Sequence, residues 1–163
     1  MSIRKLLPLA ALVLAIAALT PASALAKKGG NGQTWNVKAT VSGTTLINVP
    51  SEGQFTSYVT GHASPGGNYT RAAVGSLSTG HGKFVVTYAK GDQLTGEFQV
   101  TTAPGVNPQV VDIEIQGGNG RFEGACGWAT ETDYLTEISP EIISREGTVV
   151  GEVGYEPYCP EAP

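Results

Sequence analysis

From about residue 34 onward, apolar and polar side chains alternate with a period of two over one short segment after another. In "TWNVKATVS", Trp35, Val37, Ala39 and Val41 share one face, and Asn36, Lys38 and Thr40 share the other. "QLTGEFQVTT" sets Leu94, Gly96, Phe98 and Val100 against Thr95, Glu97, Gln99 and Thr101, and "QVVDIEIQ" sets Val111, Ile113 and Ile115 against Asp112 and Glu114. "KFVVTYAK" is apolar on both faces, with Phe84, Val86 and Tyr88 opposite Val85, Thr87 and Ala89, so cover on both sides is expected there. Alternation of this kind, rich in Val, Ile, Thr and aromatic residues, predicts half-buried antiparallel strands. Turn clusters separate them: "SGT", "SPGGN", "STGHG", "KGD", "APGVNP" and "GGNG". Only residues 133–144 could form a helix, and Pro140 interrupts them. The pattern predicts an all-β domain of seven to nine antiparallel strands. A barrel is favoured over a sandwich because closure leaves no edge to protect.

One stretch resists a simple alternating reading. "IQGGNGRFEGACG" (115–127) crowds glycines behind an apolar strand. A dinucleotide fingerprint would need G-x-G-x-x-G followed by a helix. Gly118 and Gly120 fit, but Glu123 stands where the third glycine belongs, and "EGACGWATET" continues with strand period. The Gly-Lys-Ser/Thr of a phosphate loop is missing as well. The glycines therefore read as turn geometry. Gly117, Gly118, Asn119 and Gly120 suit a tight or bulged hairpin, and Gly124 makes room between Phe122, Cys126 and Trp128, which are expected on one face.

The N-terminus changes the picture of compartment. Arg4 and Lys5, an apolar run from Leu6 to Leu19, and small residues ending at Ala26 have the layout of a secretory signal peptide. The run is shorter than a membrane span of about 20 residues. Residues 1–26 are thus expected to be removed, 27–35 to form a polar leader, and 36–163 to form one barrel domain with a C-terminal tail. Cleavage leaves eight basic and fourteen acidic residues, a net charge of −6, which disfavours nucleic acid and anionic membranes as partners. An exported chain with two cysteines suggests one disulfide, Cys126–Cys159, pinning the tail to the strand that follows the glycine cluster. The expected location is secreted or periplasmic.

The same residues carry a family resemblance. "IQGGNGRFEGACG" resembles the glycine hairpin of the allene oxide cyclase-like barrel superfamily, which is related in fold to dirigent proteins. "YAKGDQLTGEFQVT" (88–101), "GHASPGGNYT" (61–70) and "GTVVGEVGY" (147–155) are similar to further segments of small exported bacterial members. In the second of these, Pro65 and Gly66 replace the family's His-Leu. The resemblance spans about residues 36–155 and implies a short eight-stranded antiparallel barrel with a central cavity. Enzymatic members mould a bound hydrophobic substrate, but the matching motifs here are structural glycines, so no catalytic residue carries over.

Candidate chemistry is sparse. Tyr58, Tyr69, Tyr88, Phe98 and Trp128 are the candidate cavity residues. Glu97 is expected to face outward. His62 and His81 sit in glycine-rich stretches without companions at ligand spacing, so neither a metal nor a cofactor is expected. Asp112 with Glu114, and Glu131 with Asp133, read as solubilising surface pairs. The interior is expected to be largely packed, around Val37, Phe84, Phe98, Ile113, Phe122 and Trp128. Two functions follow as expectations: a non-catalytic exported barrel that binds a small apolar ligand or serves as a cell-surface module, or a cyclase or isomerase acting on a hydrophobic molecule. A large cavity with buried titratable groups would favour the second. Homo-oligomerisation through the outer faces is left open.

Overall fold

The computed structural model describes residues 34–48 and 53–163. The expected signal peptide and most of the leader lie outside the described residues. Among the described residues eight strands follow one another: β1 (Trp35–Asn48), β2 (Gln54–Ser64), β3 (Gly67–Ser76), β4 (His81–Tyr88), β5 (Gln93–Val100), β6 (Gln109–Asn119), β7 (Ala125–Ser139) and β8 (Ile142–Tyr155). Each pairs antiparallel with the next, and β8 returns to pair with β1, from Trp35 opposite Val153 to Leu46 opposite Ile142. The chain is an all-β, closed, eight-stranded up-and-down barrel. Closure leaves no unpaired edge, which answers the hazard that exposed strands present.

The period-two pattern chose the faces. Val41, Val59, Tyr69, Phe84, Leu94, Phe98, Val111, Ile113, Ile115 and Val149 point inward and are buried. Trp35, assigned to the leader by sequence, opens β1 and stacks edge-on against Tyr155 with ring centroids 5.2 Å apart. The expected double cover of β4 is absent: Lys83 and Val85 are exposed on the outer wall. The segment that could have been helical is the β7–β8 hairpin, with Pro140 and Glu141 at its turn. Proline lacks the N–H a ladder needs but fits a turn.

The glycine stretch is part strand and part cap. Gly117, Gly118 and Asn119 pair with Thr95, Leu94 and Gln93, after a register shift between Thr95 and Gly96. Of the four turn positions 117–120 only Gly120 has a positive φ (+59°); farther along the stretch Gly124 (φ +72°) and Gly127 (φ +154°) do as well. Between Gly120 and Gly124, residues 120–122 form one 3₁₀ turn. This turn resets the alternation, so Phe122 packs against the core while Cys126 and Trp128 face the outer wall. The single shared face expected for Phe122, Cys126 and Trp128 therefore does not form.

Cys126 and Cys159 form a disulfide that closes a loop of 33 residues and holds the tail against the outside of β7. On the chain-entropy account such a loop contributes about 3.5–4 kcal/mol.

Two glycines side by side offer a controlled test of backbone approach. A methyl group at Gly118 would run into the Gln93 carbonyl oxygen and the Phe122 side chain, whereas at Gly117 the nearest atom is Thr95 Oγ1 at 3.8 Å. Gly118→Ala is expected to destabilise by about 2 kcal/mol, and Gly117→Ala to stay within about 0.5 kcal/mol of the parent, in urea denaturation.

Candidate functional site

The barrel interior holds a chain of charged side chains, and it comes from three strands. Arg71 projects inward from β3 in phase with Tyr69 and Ala73; Glu131 and Asp133 project from β7 in phase with Ala125 and Ala129; Arg145 projects from β8 in phase with Val149 and Val153. Glu131 and Asp133 are 1% and 0% exposed. Arg71 grips Glu131 with both ends of its guanidinium, Nη1 to Oε2 and Nη2 to Oε1, the latter at 2.8 Å. Arg145 Nη2 then donates to Glu131 Oε1 at 3.0 Å and to Asp133 Oδ2, while its Nε reaches the same Asp133 oxygen at 2.9 Å. Arg145 Nη1 donates to Ser57 Oγ at 3.1 Å, on β2. Gly147 lies against Asp133 where any side chain would collide with Oδ1. The order is Arg71–Glu131–Arg145–Asp133, and each end keeps one buried atom without a protein partner: Arg71 Nε and Asp133 Oδ1.

Environment splits the two carboxyls. Burial opposes ionisation of Glu131, but Arg71 and then Arg145 outweigh it and hold its carboxyl down to about 2. Burial, reinforced by the neighbouring Glu131, pushes Asp133 up to about 7 against the pull of Arg145.

The interior is not the filled core expected from sequence. Arg71, Phe84 and Ile113 stand between two chambers, and each contributes to both walls. The larger, about 250 Å³, is walled by Trp35, Val86, Tyr88, Leu94, Ile115 and Phe122 among others, with Tyr69 and Arg71 as polar wall groups. The smaller, about 120 Å³, lies at the opposite end, between Ile47, Phe55, Phe98, Val111 and Ile143, with Glu131 and Arg145 at its polar side. Inward residues along a barrel strand leave space wherever their volumes fall short of the diameter.

The 3₁₀ turn covers the mouth of the larger chamber. Arg121 lies over the rings of Tyr88 and Phe122, at 4.8 and 4.7 Å, and donates from Nη2 to the Gly66 carbonyl at 2.9 Å. Its Nε sits 3.3 Å from Asp92, and the Tyr155 hydroxyl donates to its carbonyl at 2.8 Å. Tyr88 and Phe122 stack at 4.9 Å. The left-handed backbone at Gly120 and Gly124 is what folds this lid over the opening.

The structure separates the five candidate cavity residues. Tyr69 and Tyr88 line the larger chamber, with burial raising both hydroxyls, Tyr69 to about 12. Phe98 lines the smaller chamber. Tyr58 is 55% exposed on the outer wall, because it falls out of phase with the inward Ser57 and Val59. Trp128 also faces outward, beneath the tail segment of Cys159 and Pro160. Neither reaches the interior. Glu97 lies on the outer wall as expected, and hydrogen bonding to Lys83 holds its carboxyl below the usual range. His62 and His81 are exposed, but on strands, bonded to Asn68 at 2.9 Å and Glu97 at 3.2 Å. Asp112 and Glu114 are exposed surface carboxylates; Glu131 and Asp133 are the reverse of the solubilising pair expected. The four charged residues of the interior were missed, although the alternation of "ACGWATETD" already sets Glu131 and Asp133 in phase with Ala125 and Ala129.

No family model matches the chain, and no characterised protein or solved structure does so either.

Two outcomes follow from the ion chain. Arg145→Met leaves Asp133 without a cationic partner and Glu131 with Arg71 alone, and is expected to cost about 3–5 kcal/mol in urea denaturation at pH 7. The two carboxyls also act oppositely on stability. Glu131, depressed from 4.5, loses its contribution as pH falls toward about 2; Asp133, raised from 3.8, withdraws stability as pH rises toward about 7. Stability measured against pH is therefore expected to peak at about pH 4–5 and to decline toward neutrality, with Asp133→Asn flattening the neutral limb.

Proposed function

We propose that the protein is an exported, non-catalytic β-barrel that holds a small, mostly apolar molecule in its larger chamber. The observation that carries this reading is the chamber itself: about 250 Å³, walled by aromatic and aliphatic side chains and lidded by Arg121 and Phe122. Such a space lies just below the roughly 300–1,000 Å³ typical of drug-sized ligands. Export is supported by the signal-peptide layout and by the Cys126–Cys159 disulfide, which suits an oxidising compartment. Kinship with the allene oxide cyclase-like barrels belongs to the same proposal; it rests on the glycine hairpin and is compatible with the eight-stranded closure.

The cyclase or isomerase reading draws its support from buried carboxyls inside a barrel. Catalysis by proton transfer needs a group with an unengaged atom facing the substrate. Both Glu131 oxygens are taken by guanidinium groups, and Asp133 contributes to neither chamber wall. The tyrosine hydroxyls at the larger chamber are raised, which makes them poor bases near neutrality. Binding without turnover fits this arrangement better.

Native mass spectrometry of the protein purified from its own host tests the reading. The parent is expected to carry a retained small molecule, and Val86→Trp, which puts an indole into the larger chamber, to lose it. A parent free of ligand that also fails to bind 1-anilinonaphthalene-8-sulfonate would contradict it.

A further inference from the structure

Three side chains form the partition between the two chambers, and they differ in what they would let past. Arg71, Phe84 and Ile113 each contribute to both walls. Arg71 is a fixed bar: it reaches from β3 across the lumen to Glu131 on β7 and is held there through both Nη atoms. Phe84 and Ile113 complete the partition beside that bar. The ladder partners of Phe84 are Ala73 on β3 and Gly96 on β5, so a large ring stands between two positions with almost no side chain. Alternation of small and large inward residues is how a narrow barrel takes a ring into its interior. A methyl group at Gly96 would come within 2.9 Å of Phe84 Cζ. The ring already rests on the β5 wall and cannot move farther that way to let a ligand past.

Depth therefore ends at Phe84, and volume converts that depth into a size. An engineered cavity of about 150 Å³ takes up benzene; on the same scale the larger chamber, about 250 Å³, has room for about ten non-hydrogen atoms. The smaller chamber, about 120 Å³, would add about five if the partition were open. The partition also sets an orientation. Both Nη atoms of Arg71 are engaged by Glu131, its Nε lies buried, and the Tyr69 hydroxyl donates to the Thr40 carbonyl at 2.7 Å. Phe84 and Ile113 offer nothing polar. At the mouth, by contrast, the Arg121 side chain is 46% exposed beside Asp92 and the Gly66 carbonyl. A molecule with one polar end fits apolar end first, with its polar group left near Arg121 and water.

We propose that Phe84 is the specificity-determining residue of the barrel: it stops the apolar body of a ligand after about ten non-hydrogen atoms, and leaves the rest of a longer molecule outside the mouth. This limit rests on the ligand-binding reading above and adds to it a length, an orientation and the side chain that sets both. Removing the Phe84 ring opens a way past the Arg71–Glu131 bar and joins the two chambers.

Displacement of 1-anilinonaphthalene-8-sulfonate from the disulfide-intact protein by straight-chain alcohols, from hexanol to tetradecanol, provides the test. In the parent, affinity is expected to rise about fourfold per added methylene up to about ten carbons and to level off beyond them. In Phe84→Ala the rise is expected to continue for about four further carbons. Phe98→Ala is the control, because Phe98 lines the smaller chamber and takes no part in the partition. It enlarges the far space without opening a way to it, so its break point is expected to stay where the parent's is. Phe84→Leu, a smaller truncation, is expected to move the break in the same direction as Phe84→Ala and serves where the alanine variant does not fold. An affinity that climbs through tetradecanol in the parent overturns the limit and leaves ligand binding standing. A break that stays in place in folded Phe84→Ala or Phe84→Leu, or that moves equally in Phe98→Ala, overturns the role of Phe84. Failure of the dye and of every alcohol to bind overturns both the limit and the ligand-binding reading.

Discussion

Four charged side chains bonded in sequence, Arg71, Glu131, Arg145 and Asp133, cross the interior of a barrel whose remaining inward residues are almost all apolar. Burying such groups is costly, and a well-packed apolar replacement is often as stable or more so. Their presence is therefore poorly explained as a source of stability. What they provide is position. Arg145 ties β8 to β7 and, through Ser57, to β2; Arg71 ties β3 to β7 across the lumen. The arrangement fixes opposite walls at a set spacing and keeps the two chambers apart.

The rest of the interior follows from that partition. Around the ion chain the inward side chains are small on some strands, as at Ala39, Ala63 and Ala129, and large on others, as at Phe84 and Tyr88. The space remaining at one end is lined with aromatic rings and closed by Arg121 and Phe122. The glycines that resembled a phosphate loop in the sequence serve this closure. Gly120 and Gly124 bend the chain into its turn, and Gly118 lets the turn press against Gln93. The disulfide acts on the outside of the wall, away from both chambers, so retention of the tail and occupancy of the chamber are physically separate properties.

The strand pattern made the barrel legible. Alternation in "QLTGEFQV" and "QVVDIEIQ" assigned inward and outward faces correctly, and the turn clusters marked where strands end. Legibility failed where one local event altered the phase. A single 3₁₀ turn at residues 120–122 sent Trp128 outward, although it shares a sequence parity with Phe122. It failed again at the charged residues. Lys, Arg, Glu and Asp are so seldom buried without a partner that placing them outside is the sound default. Glu131 and Arg71 are 60 positions apart, and nothing local in either segment announces the other. The candidate site was thus half visible: its tyrosines could be read, while its ion chain depends on contacts that only the closed barrel creates.

The direct measurement of this arrangement is a carboxyl ¹³C NMR titration of the folded protein, following the side-chain carbons of Asp133 and Glu131 from pH 2 to pH 9. The ion chain requires the two to diverge widely, with Asp133 titrating near neutrality, at about 7, and Glu131 staying ionised down to about 2. Two curves with midpoints close to 4, as for carboxyls exposed to water, would mean that the pair is not held between guanidinium groups inside the barrel, and the account built on it would fall.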